Sequence, residues 1–448
     1  MSTYEQDNLF WRVGDSLPDD LETDPFTSVM IPKPTAWFSS NEKDVALVEG
    51  YSVANHAPPT LMMAAEALSP AMLIDLRKSG FATLSVATLR EKHCLFKASN
   101  PDGQSRPINF TFDALGITPD STKVDRPPAV KSSPIKMYCK LLEIIALGNG
   151  QQMVLLEVES CSISKCVLSK PDEGSTRKTL AKIDAILIQA VASFGCGQFA
   201  TMDNLRHMPR PEQCEGTWKS DPFALLQPTF GSANYPDLEY VFHNDHSNLG
   251  YNPIKAIVIP RPIGWISTYA DESKAITHVA PYSFFTDVGR GSRPMVAFSS
   301  YRSASADHGG RKDAQLDTET SGSFCVNIVS EELAVPMNFT SGELKRHESE
   351  FEVAGLNHSH ACMVNAPFVD QAHIVMEGRY IKTVDVGSYS IVIGEIVGIR
   401  LNKRILSDGK VDATKVMPVT RLGFDEYAVI SRYVEHVPSL PNHQNQCP

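Results

Sequence analysis

The sequence is poor in three things that would narrow its role at once: positive charge, long apolar runs and patterned cysteine. Over 448 residues, 41 Lys and Arg face 52 Asp and Glu, a net charge of −11. A nucleic-acid binder needs a basic face, and so does adhesion to anionic lipid, so both classes are set aside. Local basic pockets for a phosphate stay open. No run approaches the ~18–20 apolar residues of a membrane helix; the longest, Ala185 to Phe194, is short and contains Gln189. The start, MSTYEQDNLFWRVGDS, lacks the basic and apolar parts of a secretory signal. The nine cysteines are odd in number and scattered, and Cys161 and Cys166 do not have zinc spacing. They read as reduced thiols in a cytoplasmic protein. His358 and His360 flank one serine with no clustered cysteine or carboxylate, so a solvated loop is expected there and no metal site.

A regular βαβ alternation is also lacking. Many short strands with few helices argue for antiparallel barrels. Gly195-Cys196-Gly197-Gln198-Phe199-Ala200 fits a dinucleotide fingerprint, but Met208-Pro209-Arg210-Pro211 leaves little room for the helix and second strand that a fingerprint needs.

What is present centres on Tyr251 to Phe285. Ile254 to Ile259 is rich in β-branched residues and reads as a buried strand. Pro260 and Pro262 bracket Arg261 and mark an edge or bulge. A strand resumes through Trp265 to Thr268, and Ala280-Pro281-Tyr282-Ser283 follows a polar turn. The hairpin presents an arginine and a small-residue loop beside aromatic walls. That surface suits a flat, polar-edged ring with an anionic tail.

The same stretch occurs earlier. Pro32-Lys33-Pro34-Thr35-Ala36-Trp37 matches Pro260-Arg261-Pro262-Ile263-Gly264-Trp265, and Phe194-Gly195 matches Leu422-Gly423, both 228 residues apart. Ala57-Pro58-Pro59-Thr60 is aligned with Ala280-Pro281-Tyr282-Ser283. A period this long means two whole domains. The expected layout is an arm at 1–20, a first repeat at 21–212, a linker at 213–247, a second repeat at 248–440 and a tail at 441–448. Phe10 and Trp11 are expected to pin the arm to a domain. The linker's Trp218, Phe223, Phe230, Tyr235, Tyr240 and Phe242 are too aromatic for a free tether. Helices are expected at about 59–67, 89–98, 313–320 and 331–339, and strands at Ser28–Ile31, Ala36–Ser39, Ala82–Ala87, Ile135–Ile145 and Met153–Ile163. The second repeat is expected to have strands at Trp265–Thr268, Met295–Ser299, Phe324–Val329, Ala372–Val384 and Ser390–Leu401.

Four segments in order make the second repeat resemble the flavin reductase-like family. They are Pro260 to Trp265; Ala280 to Phe285; Arg311-Lys312-Asp313 with Ser321 to Asn327; and Met337 to Ser341 with Glu350 to Leu356. The resemblance implies a mainly β fold: two antiparallel FMN-binding split β-barrels packed as a pseudo-dimer within one chain, monomeric or weakly associating. It implies non-covalent FMN at the interface of the repeats, with NAD(P)H as co-substrate and a small-molecule substrate or a flavin-accepting oxygenase as partner. Arg261, Pro262, Ile263, Gly264 and Trp265, with Ala280, Pro281, Tyr282 and Ser283, would line the ring. Ser299, Ser300, Arg302 and Lys312 would hold the phosphate, and Asp313, next to Lys312, belongs to the same cofactor site.

Three positions depart from the family's usual residues: His278 and Asp317 where asparagine is common, and Ala314 where threonine is common. His278 is a candidate flavin-edge or proton donor, set against a structural histidine bonded to backbone. In the first repeat Asn55 is aligned with His278, and the phosphate features look lost. One FMN per chain is therefore expected, its ring partly covered through Lys33 and Asn55. Two other classes stay open: an FMN-dependent oxidase or oxygenase with its own organic substrate, and a flavin- or haem-binding protein without turnover. A closed pocket facing Trp265, Tyr282 and His278 would favour the oxidase.

Overall fold

The computed structural model describes residues 7–99, 109–170, 181–195, 197–202, 204–208, 224–225, 237–242, 249, 251–302 and 308–433. Trp218, Phe223, Phe230 and Tyr235 of the linker, and the 441–448 tail, lie outside them. Strand β1 (Asn8–Arg12) and the one-turn helix α1 (Phe26–Val29) come first. The first repeat then runs β2 (Lys33–Ser39), β3 (Asp44–Glu49), β4 (Tyr51–His56), β5 (Pro59–Ala64), α2 (Pro70–Ser79), β6 (Phe81–Val86), α3 (Lys92–Ala98), β7 (Ile135–Gly148), β8 (Gln151–Ile163), β9 (Val191–Ser193) and β10 (Phe199–Thr201). Next come β11 (Asn204–His207), β12 (Leu238–Val241) and α4 (Ile254–Ile257). The second repeat runs β13 (Arg261–Pro262), β14 (Gly264–Tyr269), β15 (Thr277–Tyr282), β16 (Phe285–Gly289), β17 (Met295–Tyr301), α5 (Asp313–Ser321), β18 (Ser323–Ile328), α6 (Ala334–Phe339), α7 (Glu350–Val353), β19 (Ile374–Val386), β20 (Tyr389–Asn402), β21 (Val419–Arg421) and β22 (Glu426–Val429).

The two repeats share one antiparallel topology. The second is ordered β15–β14–β18–β19–β20–β17–β16, and the first β3–β2–β6–β7–β8–β5–β4. The fold is mainly β and of the split-barrel type. Contacts divide the chain into two units: residues 1–32, 203–226 and 261–432, and residues 33–202, 227–260 and 433–448. Each barrel is thus completed by the segment that precedes the other barrel in sequence. In the first unit β1 pairs with β20, Trp11 is buried and the Phe10 ring lies on Gly398. In the second, β12 pairs with β8.

Several local expectations are corrected. Ile254 to Ile259 and Ser28 to Ile31 are not strands: each falls on a helical turn, α4 and α1, opened by Pro253 and Pro25. Proline presets the helical φ at such a start, and the β-branched content reflects burial. Pro59 to Ala64 is a strand with a single 3₁₀ turn after it (Ala65–Ala67), not a helix. Helix α2 was not expected, though Ser69-Pro70 before it and Gly80 after it are start and stop signals.

The internal alignment also shifts. Leu47 opposes Trp37 as Pro281 opposes Trp265, so Ala46-Leu47, not Ala57-Pro58, is the counterpart of Ala280-Pro281. Asn55 lies instead beside the β4–β5 turn, where it donates to the Pro58 carbonyl. Gly195, Gly197 and Gln198 lie between β9 and β10, matching the β21–β22 turn: Phe194 N–H donates to the Gln198 carbonyl as Leu422 N–H donates to that of Glu426.

Candidate functional site

Side chains alternate across a strand, and directly paired residues share a face. Gly264 opposes Tyr282 and Thr268 opposes His278, while Trp265 opposes Pro281. His278, Ala280 and Tyr282 therefore share one face, and Trp265 points to the other. Trp265 is fully buried with Val279, Cys325, Leu333 and Phe351, and its indole N–H donates to Thr340 Oγ1 at 2.8 Å. Ile263 belongs to the same core. Trp265 therefore does not share a face with Tyr282 and His278, the three residues whose common closed pocket would have favoured an oxidase. Gly264 is needed where it is, because a Cβ there would stand 2.7 Å from the Phe285 ring.

The face carrying His278 and Tyr282 meets α5. Ala280, Pro281 and Ser283 are half-buried, whereas Tyr282 is buried. Gly309 and Gly310, at φ 74° and 85°, turn the chain into Arg311 and Lys312. Lys312 occupies the N-cap of α5 with its side chain exposed, and no side chain caps the helix. The first N–H groups of a helix have no partner within it and carry the positive end of its dipole. Close in sequence and topology are three buried hydroxyls: that of Ser299 has no hydrogen-bond partner, while those of Ser300 and Tyr282 lie within reach of each other. Burial pushes the Tyr282 phenol up, and the charge of Asp313 at the helix start adds to this. Buried polar atoms of this kind cost ~1–3 kcal/mol each unless a partner arrives.

Arg302 leaves β17 toward the β19–β20 turn, pairing with Asp385 at 3.2 Å and donating to the Gly387 carbonyl. Arg261 is buried. It donates to the Leu422 carbonyl and to that of Gly423 at 2.9 Å, and burial, with Arg421 nearby, pulls its pKa down to about 9. Pro262 pairs with Thr420 in the same edge. In the other unit Lys33 is buried in β2 opposite Ser193.

The unusual His278 and Asp317 turn out to be partners. His278 Nδ1 lies 2.8 Å from Asp317 Oδ2, and Nε2 lies 3.0 Å from the Arg346 carbonyl. Both neighbours are acceptors, so both nitrogens carry protons and the ring is an imidazolium. Burial pulls its pKa down, but the bond to Asp317 and the charges of Asp317, Glu350 and Asp313 outweigh this and raise it. Asp317 also accepts from Thr268 at 2.9 Å and from Arg346 Nη2 at 2.6 Å, and Arg346 Nη1 reaches Asp313 at 2.7 Å. The negative charge of Asp317 is thus matched inside the protein. Both ring nitrogens of His278 are thus engaged within the protein. Sequence reasoning missed Arg346. Its signal was the need for a cation once Asp317 fell on the buried side of α5.

Among the described residues no helix is long and apolar enough to cross a membrane, and no group of three or more His, Cys, Asp or Glu could hold a metal.

Residues 257–415 match the family model described as the flavin reductase like domain. An uncharacterized protein of Aquifex aeolicus (strain VF5) is 32% identical over 191 residues, which make up 42% of this chain and 94% of the relative. The chain belongs to the flavin reductase-like family. An uncharacterized protein of Deinococcus radiodurans is 33% identical over 178 residues, covering 39% of the chain and 77% of that relative. Among solved structures, nitrilotriacetate monooxygenase component B from Bacillus cereus is 26% identical, with 41% of this chain and 90% of that one covered at a TM-score of 0.38. This flavin reductase-like chain is thus more than twice as long as the Aquifex relative, as a duplication requires. The family sets it among flavin-related oxidoreductases. Its donor set suits a phosphorylated flavin: an uncapped helix start, the unpartnered buried hydroxyl of Ser299 and flanking basic residues are what a phosphate dianion needs.

Proposed function

We propose that this chain is an FMN-dependent oxidoreductase of the flavin reductase type, acting in the cytoplasm with one FMN per chain. The observation that carries the reading is the coincidence, in the second repeat, of the uncapped α5 with the buried hydroxyls of Ser299, Ser300 and Tyr282, of which Ser299 has no partner. Ser299, Ser300 and the first N–H groups of α5 would bind the phosphate, with Arg302, Lys312 and Arg311 supplying positive potential. The half-buried strip Ala280, Pro281 and Ser283 would offer backbone groups to the ring edge. FMN supplies hydride acceptance and donation there when bound. The protein orients it, excludes water and leaves one face for NAD(P)H. Electrons would pass to a small organic substrate or to a partner oxygenase.

The test is the visible spectrum of purified protein with added FMN, before and after anaerobic NADH or NADPH, with the bound flavin counted. Flavin bands that bleach promptly at one FMN per chain are expected. Two FMN per chain would overturn the assignment to the second repeat. Bands that persist with both nucleotides would overturn the reductase reading.

A further inference from the structure

Helix α5 presents its start to the proposed phosphate, yet the residue at that start is an acid. Asp313 would repel a dianion, and Asp317 one turn on adds a second negative charge. Arg346, from the loop before α7, bridges both: Nη1 to Asp313 at 2.7 Å and Nη2 to Asp317 at 2.6 Å. The same Nη2 reaches the Ala270 carbonyl at 2.9 Å, and the Arg346 carbonyl receives the His278 ring at 3.0 Å. One residue thus fastens the first turn of α5 to the β14–β15 hairpin and cancels acid charge at the helix start. Nothing in this arrangement reaches toward Ser299 or Ser300.

We infer that Arg346 is a positioning residue for the phosphate end of the cofactor: through its pair with Asp313 it sets the place and the potential of the α5 start without touching the flavin. The inference rests on the FMN reading above. It predicts a phosphate-specific defect. FMN carries the phosphate, whereas riboflavin presents the same ring without it.

The experiment compares FMN and riboflavin affinities, by quenching of flavin fluorescence, for wild type, Arg346→Gln, Arg346→Lys and the double variant His278→Asn/Asp317→Asn. Wild type is expected to prefer FMN. Arg346→Gln should lose at least about tenfold in FMN affinity, the lower end of what supporting residues contribute in metal sites, while riboflavin affinity changes by less than about twofold. Arg346→Lys keeps the charge and should recover part of the loss. The double variant retains Arg346 beside Asp313 and should keep the preference for FMN, which guards against a folding failure of the single variant. Equal loss for both flavins in Arg346→Gln, or no loss for either, would overturn the positioning role. A wild type that binds riboflavin as tightly as FMN would instead overturn the phosphate site itself, and the inference with it.

Discussion

The same step of the fold is closed in one repeat and open in the other. In the first, Ser69 caps α2 by accepting the Met72 N–H at 3.3 Å, and residues 65–69 make a short approach. In the second, residues 302–312 make a longer approach and α5 has no side-chain cap. Strand register sharpens the contrast. Counted from the bulge that β8 and β20 share, Ala64 opposes Met153 on the rung where Ser299 opposes Ile391. Ala65 then stands where Ser300 stands. The first repeat caps its own helix start and carries methyl groups at these two positions, whereas the second has an uncapped start and two serines there. On the proposed reading, only the second copy of the duplicated frame keeps an anion site.

The contrast can be broken most strongly at the serines. Ser299→Ala/Ser300→Ala gives the second repeat the first repeat's residues. A hydrogen bond to a charged group contributes ~1.5–3 kcal/mol, so the pair should lose on the order of 10²–10⁴-fold in FMN affinity. Urea unfolding of the FMN-free protein should show a loss of no more than about 1.5 kcal/mol, because Ser299 has no partner to lose and Ser300 gives up one bond to Tyr282. A variant that binds FMN normally would remove the serines from the site.

A second contrast lies behind the helices. Asp75 stands before Gly80 in α2 as Asp317 stands before Gly322 in α5. In the first repeat Asn41 Nδ2 bridges Asp75 at 2.7 Å and Asp44 at 3.0 Å. In the second, an imidazolium and a guanidinium replace the neutral amide. Asp317→Asn would leave both cations without their buried counter-charge, and breaking such a pair costs ~3–5 kcal/mol. Adding His278→Asn, which restores the family's usual residues, should recover much of that loss. Losses that simply add in the urea midpoints would show that the two residues are not coupled.

The sequence carried the large features of this molecule because they are repeated or local. The duplication showed in Lys33 to Trp37 against Arg261 to Trp265, and the long strands β7, β8, β19 and β20 showed in their composition. Helix α5 and the Leu89–Ala98 helical segment also fell where expected. What failed was register. Ala57-Pro58 resembled Ala280-Pro281 in type, but only the pairing of Leu47 with Trp37 reveals the true counterpart. Of the proposed site, Ser299, Ser300 and Lys312 were legible only through resemblance. Arg346 did not, because its partners stand 29 and 33 residues away in sequence. His278 and Asp317 looked like two separate defects until the fold placed them in contact.

The smallest expected effect is also the most diagnostic of charge. His278 is faced by Asp317 and Asp313 from α5, by Glu350 at the start of α7, and by Arg346. Its folded pKa is raised, so the native protein keeps a proton that the unfolded chain releases. The resulting stabilisation is complete below an unfolded histidine's pKa of ~6.5 and is lost as pH rises through the folded value. The stability gap between wild type and His278→Asn should therefore be widest near about pH 6 and narrow steadily toward about pH 9, read from urea midpoints. Glu350, which burial raises and the His278 charge lowers, is coupled to the ring, so the gap reports the two together. The first repeat supplies the control. Asn41 does not titrate, so the loss from Asn41→Ala should stay flat over the same range. A His278 gap as flat as that of Asn41 would mean that the ring is neutral, and that Asp317 is held by Arg346 and Thr268 alone.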